Sequence, residues 1–186
     1  MLSPSFSQQR VIPNENRTNV DWVQPRQGTQ WIRYWLYHHT RYREHTAGSK
    51  CIQPVPPLQG ANRDRSAHYF VDQEDVIQII KDEDTAWHCG TTHPPTIDGV
   101  KVLNRNSIGI EICVNDDGDY IRSVQNTLDL TRLLMAKYRI PKSHVLRHYD
   151  VSKKICPQSM SGYNGSTYTW ILWKWFLKQL WKKSSS

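Results

Sequence analysis

Between residues 107 and 115 the chain reads SIGIEICVN, and its strict alternation predicts a β-strand. Ile108, Ile110, Ile112 and Val114 take one face, while Gly109, Glu111 and Cys113 take the other. After the turn DDGD (116–119), Val124, Leu128, Met135 and Tyr138 recur at helical spacing from about Arg122 to Arg139. Leu130 and Leu134 stand beside them, and Pro141 stops the helix. Upstream, WIRYWLYHHT (31–40) reads as a buried strand ending in His38-His39, and AHYFVDQEDVIQII (67–80) as two short strands around the polar tip Asp72–Asp75. Downstream, HVLRHYD (144–150) returns as a strand and TWILWKWFLKQLWKK (169–183) reads as a second helix. Strands and helices mix, so the predicted class is α/β with a mixed central β-sheet flanked by helices.

The remaining segments are connections. Residues 1–28 are polar and predict an N-terminal arm. Residues 41–66 are basic, and CIQPVPPLQG (51–60) cannot be a regular helix, because proline removes donors and restricts the residue before it. TAWHCGTTHPPTIDG (85–99) reads as a long loop, the kind that carries function in a compact domain.

With 186 residues, of which 38% are hydrophobic, the chain suits one domain with length to spare. Its formal net charge of +7 implies a polyanionic partner: nucleic acid, an anionic membrane or an anionic cell wall. No RNP, zinc-finger or helix-turn-helix pattern accompanies that charge, so nothing makes the nucleic-acid reading specific. The opening MLSPSFSQQRVIPNENR has no apolar leader core, and no apolar run reaches membrane-span length. Synthesis in the cytoplasm without a signal peptide is therefore expected. Cys51, Cys89, Cys113 and Cys156 lack framework spacing, which favours free thiols or a metal ligand over disulfides.

Glu111 is the first candidate for chemistry. An ionised group inside an isoleucine-alternating strand is costly to bury unpaired. Either the second face of the strand is wet, or Glu111 is a general acid/base at the floor of a groove, with Gly109 leaving room beside it. His38 and His39 fall at a strand end, and only one can belong to a given side of the sheet. His148 and Cys156 stand eight positions apart in RHYDVSKKICP. Two histidines, a cysteine and a water make an open zinc site. A cysteine beside Lys153 and Lys154 could equally be a nucleophile, its thiolate favoured by those charges.

The motifs HHT, SAHYFVD, AWHCG, NSIGIEIC and RHYDVSKKICP stand in an order and spacing that resemble the zinc-dependent N-acetylmuramoyl-L-alanine amidases. This amidase type 2 family includes phage endolysins, bacterial autolysins and peptidoglycan recognition proteins. The resemblance runs from about Trp31 to Met160 and implies a single amidase domain over 29–160. It implies one zinc ion held by His38, His148 and Cys156, with His39 a neighbour that does not ligate. It implies Glu111 and Lys154 as catalytic residues, and His88, with His68 and Trp87, as substrate-binding residues. The implied reaction is hydrolysis of the amide bond between N-acetylmuramic acid and L-alanine in bacterial peptidoglycan, by a phage or prophage endolysin or an autolysin. A non-catalytic peptidoglycan-binding protein on the same fold is the alternative.

Two departures matter. Some relatives carry a catalytic tyrosine where Ala67 stands, which leaves more of the work to Glu111 and Lys154. The segment between the first two strands, often helical in relatives, is broken here by Pro54, Pro56 and Pro57.

The segment 161–186 is expected to add a basic aromatic helix packed on or next to the domain. In helical register Trp170, Trp173, Leu177, Leu180 and Trp181 form one apolar side, which Trp175 and Phe176 widen. Lys174, Lys178 and Lys182 follow another side, with Lys183 nearby. Such a helix docks with solvated lysines, or its lysine edge also attracts anionic wall polymers or lipid headgroups.

Overall fold

The computed structural model describes residues 66–114 and 118–181, together with the backbone of the strand Tyr34–Arg41. The predicted N-terminal arm and the proline-broken segment lie outside the described residues. In chain order the strands are β1 (Tyr34–Arg41), β2 (Tyr69–Val71), β3 (Val76–Gln78), β4 (Thr96–Ile97), β5 (Val100–Lys101), β6 (Ser107–Val114) and β7 (Val145–Arg147). The helices are α1 (Tyr120–Tyr138), α2 (His148–Ser152) and α3 (Ile171–Gln179). A five-stranded sheet runs in the order β3-β2-β6-β1-β7. β1 is parallel to both β6 and β7, β2 is parallel to β6, and β3 returns antiparallel on β2. The sheet is mixed, as the alternation of elements predicts.

The alternation in β6 sorts its side chains onto two layers. Ile108, Ile110 and Ile112 are buried in a core with Val124, Leu128 and Leu134 of α1 and with Trp173 and Phe176 of α3. Each such side chain contributes about 1.5–3 kcal/mol by leaving water. A smaller cluster of Cys89, Val102, Leu146 and Val151 forms separately.

Local chemistry sets the element ends. Asp119 caps α1 by accepting from the Arg122 N–H at 3.0 Å. Arg139, in the left-handed region at φ 53°, ends the helix two residues before Pro141. At the polar tip between β2 and β3, Asp72 Oδ1 accepts from the N–H groups of Glu74 and Asp75, each at 2.8 Å. Just beyond β3, the buried Asp82 carboxylate accepts from Tyr69 at 2.6 Å, Gln78 at 3.0 Å, Lys137 at 3.0 Å and Tyr138, tying the hairpin to the end of α1.

Four sequence expectations change. The stretch HVLRHYD is a strand only as far as Arg147, and His148 opens α2. The Asp150 carboxylate accepts from the Arg147 N–H at 2.8 Å and pairs with its guanidinium, which turns the chain into a helix. The loop 85–99 contains β4 and leads into β5, joined by Asp98 and Gly99, both at positive φ. In α3, Phe176 rather than Trp181 completes the inward side. Trp181 lies past the helix and is 63% exposed, while Trp173 stacks on Phe176 at 5.4 Å. Finally, Cys113 is disulfide-bonded, whereas Cys89 and Cys156 form no disulfide. Disulfide pairing depends on tertiary proximity, which sequence spacing does not reveal.

Candidate active site

β6 again organises the geometry. Ser107, Gly109, Glu111 and Cys113 alternate on the face opposite the isoleucines. Over the first half of that face lies the segment Ala86–Gly90. The His88 ring sits directly above Gly109, where an added Cβ would come within 2.7 Å of His88 Cγ. Gly109 does leave room, and a histidine fills it. Glu111 lies farther along the same face, half-buried. Its register partners are Phe70 in β2 and His38 in β1.

Register also relates the two strand-end histidine positions. Leu36 pairs with both Gly109 and Leu146, so position 38 belongs to the same alternating set as Glu111. His39 falls in the set of Ile112. His148 follows Arg147, the partner of Tyr37, and so stands one step past the end of the β1–β7 pairing. The side chains of His38 and His39 lie outside the described residues.

Hydrogen bonds orient the rings of three buried histidines. The Cys89 carbonyl accepts from His148 Nε2 at 3.1 Å. A carbonyl only accepts, so Nε2 carries a hydrogen, and Nδ1 is the ring nitrogen left to face a metal. Gly90, at φ +60°, permits this approach: a Cβ there would lie 3.1 Å from His148 Nε2. His68 is wholly buried; its Nδ1 accepts from the Gly109 N–H at 3.0 Å and its Nε2 donates to Asp84 O at 3.2 Å. His88 Nε2 donates to Ser107 Oγ at 2.8 Å, because that hydroxyl gives its own hydrogen to Leu103 O at 2.7 Å. The His68 and His88 rings meet edge to face at 5.5 Å.

Cys156 is buried, and its carbonyl accepts from the Tyr149 N–H at 3.2 Å, which holds it against the start of α2. Lys154 is exposed on the loop between them. Cys89 is a second buried thiol; burial pushes it up to about 11, more than the Ser107 hydrogen bond pulls it down. It is therefore a protonated packing group. Trp87 is 55% exposed beside the buried His88.

The structure thus sets His148 against the His88–Gly90 segment that covers the Glu111 face of β6 and ties the Cys156 backbone to the start of α2, while the His68 ring is engaged by the Gly109 N–H. No group of three metal-ligating side chains occurs among the described residues, which do not include the His38 side chain. The sequence reading missed Asn104, Ser107 and Gly90. A glycine directly after Cys89 and the asparagines before β6 were the available signals.

A mixed α/β sheet carrying a half-buried carboxylate, a buried imidazole and a buried cysteine offers side chains suited to acid/base and metal chemistry. Residues 27–159 match the N-acetylmuramoyl-L-alanine amidase family, and the chain belongs to it. The amidase CwlL of Bacillus licheniformis is 37% identical over 94 residues, covering 50% of this chain and 26% of that protein. CwlH of Bacillus subtilis is 36% identical over 104 residues, covering 55% of this chain and 39% of that protein. The chain thus spans well under half the length of these relatives. Among solved structures, the catalytic domain of XlyA superposes with a TM-score of 0.65 at 26% identity, over 92% of this chain and 99% of that one. PlyL gives 0.59 at 30% identity, over 81% and 84%. Among the described residues, no helix is long and apolar enough to cross a membrane.

Proposed function

We propose that this chain is a zinc-dependent peptidoglycan hydrolase that cleaves the amide bond between N-acetylmuramic acid and L-alanine, acting on the bacterial cell wall as a phage or prophage endolysin. One observation carries the reading: in a chain of this family, His148 Nε2 is taken up by the Cys89 carbonyl, which turns Nδ1 toward a metal, and Cys156 is tethered through its backbone to the adjacent residue. An imidazole oriented by a backbone carbonyl through its other nitrogen is the form in which histidine ligates metals. A buried cysteine whose backbone is bonded to the next residue suits zinc as a further donor. The donor set therefore fits, with His38, His148 and Cys156 as the three ligands.

When bound, zinc supplies Lewis-acid polarisation and lowers the pKa of water. The chain's own residues do the rest. Glu111 takes a proton from the attacking water and returns it to the L-alanine nitrogen, which cannot leave as an anion. The Lys154 ammonium, exposed at the edge of the site, offsets negative charge on the carbonyl oxygen; one such contact is worth about 3–4 kcal/mol. Trp87 offers an aromatic face for the glycan-peptide, and His88 shapes the floor beneath it. His68 acts from below, by holding β6.

The outer side of α3 presents Ile171, Leu172 and Trp175 beside Lys174 and Lys178, all exposed. This mixture supports an accessory attraction to anionic wall polymers or lipid headgroups.

The deciding experiment is digestion of purified peptidoglycan. New L-alanine amino termini are expected, with no rise in reducing sugar. Reducing ends would mean a glycosidase, and binding without any cleavage would mean a recognition protein.

A further inference from the structure

We infer that Asn104, which belongs to none of the five motifs, is a positioning residue for the metal-ligating ring of His148; the inference rests on the metal site proposed above. Its Oδ1 accepts from two successive backbone donors, the His88 N–H at 3.0 Å and the Cys89 N–H at 2.8 Å. One acceptor shared by consecutive amides fixes the direction of that backbone. The next carbonyl along, Cys89 O, is the group that takes the His148 Nε2 hydrogen. The chain then turns away through Gly90 at φ +60°. Asn104 therefore reaches His148 through a single backbone segment.

Asn104 is itself seated firmly. It begins the short turn Asn104–Asn106 that leads into β6. Asn106 braces that turn, with Oδ1 accepting from the Leu103 N–H at 2.7 Å and Nδ2 donating to Lys101 O at 2.8 Å. Ser107 Oγ closes it on Leu103 O at 2.7 Å. The position of the carbonyl facing His148 is thus set from the start of β6, the strand that also carries Glu111. The segment keeps a second attachment, since Cys89 packs with Val102, Leu146 and Val151. Removing the Asn104 acceptor therefore loosens the aim of the carbonyl without removing the apolar anchor. A ligand ring that is no longer pre-oriented must be ordered by the metal itself, which weakens binding.

The test compares zinc affinity, by competition with a chromophoric chelator, for the parent chain, Asn104→Ala and Asn104→Asp, with thermal midpoints of the metal-free forms alongside. Asn104→Ala should bind zinc roughly 10- to 100-fold more weakly, the range for lost outer partners of ligating histidines. Asn104→Asp still offers an oxygen to both N–H groups and should stay within about threefold of the parent. Parent-like affinity in Asn104→Ala overturns the inference, as does equal weakening in Asn104→Asp. If Asn104→Ala does not fold, Gly90→Ala decides, because it leaves Asn104 intact and sets a methyl group against His148 Nε2. It must weaken zinc binding comparably, and parent-like affinity there also overturns the inference. A parent chain that takes up no zinc removes the metal reading, and this inference with it. A zinc-binding parent with an unaffected Asn104→Ala removes the inference alone.

Discussion

Gly109→Ala adds one methyl group at a position where the backbone has no need of glycine, since Gly109 is not among the residues at positive φ. Any effect is therefore steric. The new Cβ would stand 2.7 Å from His88 Cγ, 3.0 Å from Nδ1 and 3.1 Å from Cβ. The ring cannot step aside freely, because Ser107 holds Nε2, Asn104 holds the His88 N–H and the His68 ring lies at its edge. Overpacking of this kind costs about 1–3 kcal/mol, and a broken Ser107–His88 hydrogen bond adds about 1 kcal/mol. The expected loss is roughly 2–4 kcal/mol by urea unfolding, or a fall of about 5–15 °C in Tm for a chain of this size. Gly99→Ala is the control. Its Cβ would meet nothing within 4 Å, so only its φ of +79° penalises alanine, by about 1–2 kcal/mol. The double variant Gly109→Ala/His88→Ala removes the colliding ring and should lose at least about 1 kcal/mol less than the two single losses added together. Stability of Gly109→Ala within about 0.5 kcal/mol of the parent, or strict additivity in the double variant, refutes the reasoning.

The buried Asp82 carboxyl is pushed up by burial, but hydrogen bonds from Tyr138, Tyr69 and Lys137 outweigh this and hold it below its usual value. Its contribution to stability is thus complete above the ordinary carboxylate pKa of about 4 and is lost as pH falls through the lower folded value. The stability gap between parent and Asp82→Asn should be about 1–3 kcal/mol at pH 7 and should narrow only below about pH 4; a pH-independent gap would contradict this. Metal analysis should find one zinc per parent chain, near none in His38→Ala, His148→Ala or Cys156→Ala, and a full complement in His39→Ala. Glu111→Ala and Lys154→Ala should stay folded and metal-bound while kcat drops about 10²- to 10³-fold, so near-parent rates would remove the residue concerned from the mechanism. Changing Lys174, Lys178, Lys182 and Lys183 to Gln should reduce low-salt binding to anionic vesicles or wall polymer, with stability unchanged within about 0.5 kcal/mol; undiminished binding would leave α3 a purely structural helix.

What could be read in advance follows the range of the forces involved. β6 and α1 were legible because each buries one side along its whole length, and that side is written as a period of two or of nearly four. Glu111 was conspicuous because it is the one charged residue in that strand. The α2 turn was not legible, since its five residues hold no period and its cause is one carboxylate, Asp150, reaching back to Arg147. The two-residue strands β4 and β5 are likewise too short to show alternation, although Asp98-Gly99 marks their turn. The inward place of Phe176 depends on where α3 starts, at Ile171, which composition does not fix. Asn104 and Ser107 act across 15 to 19 residues of chain, a relation no local pattern encodes.

The match to the amidase family stops at residue 159, yet the packing does not. Trp170, Trp173, Phe176 and Leu180 belong to the same buried cluster as the isoleucines of β6. Arg147, one residue before His148, lies 4.1 Å from the centre of the Trp170 ring. A fragment excised at the signature boundary would therefore bare the isoleucine layer and strip the cover from Arg147, next to a proposed ligand. For subcloning or domain exchange, the transferable unit is longer than the region by which the family is recognised and extends at least through Leu180.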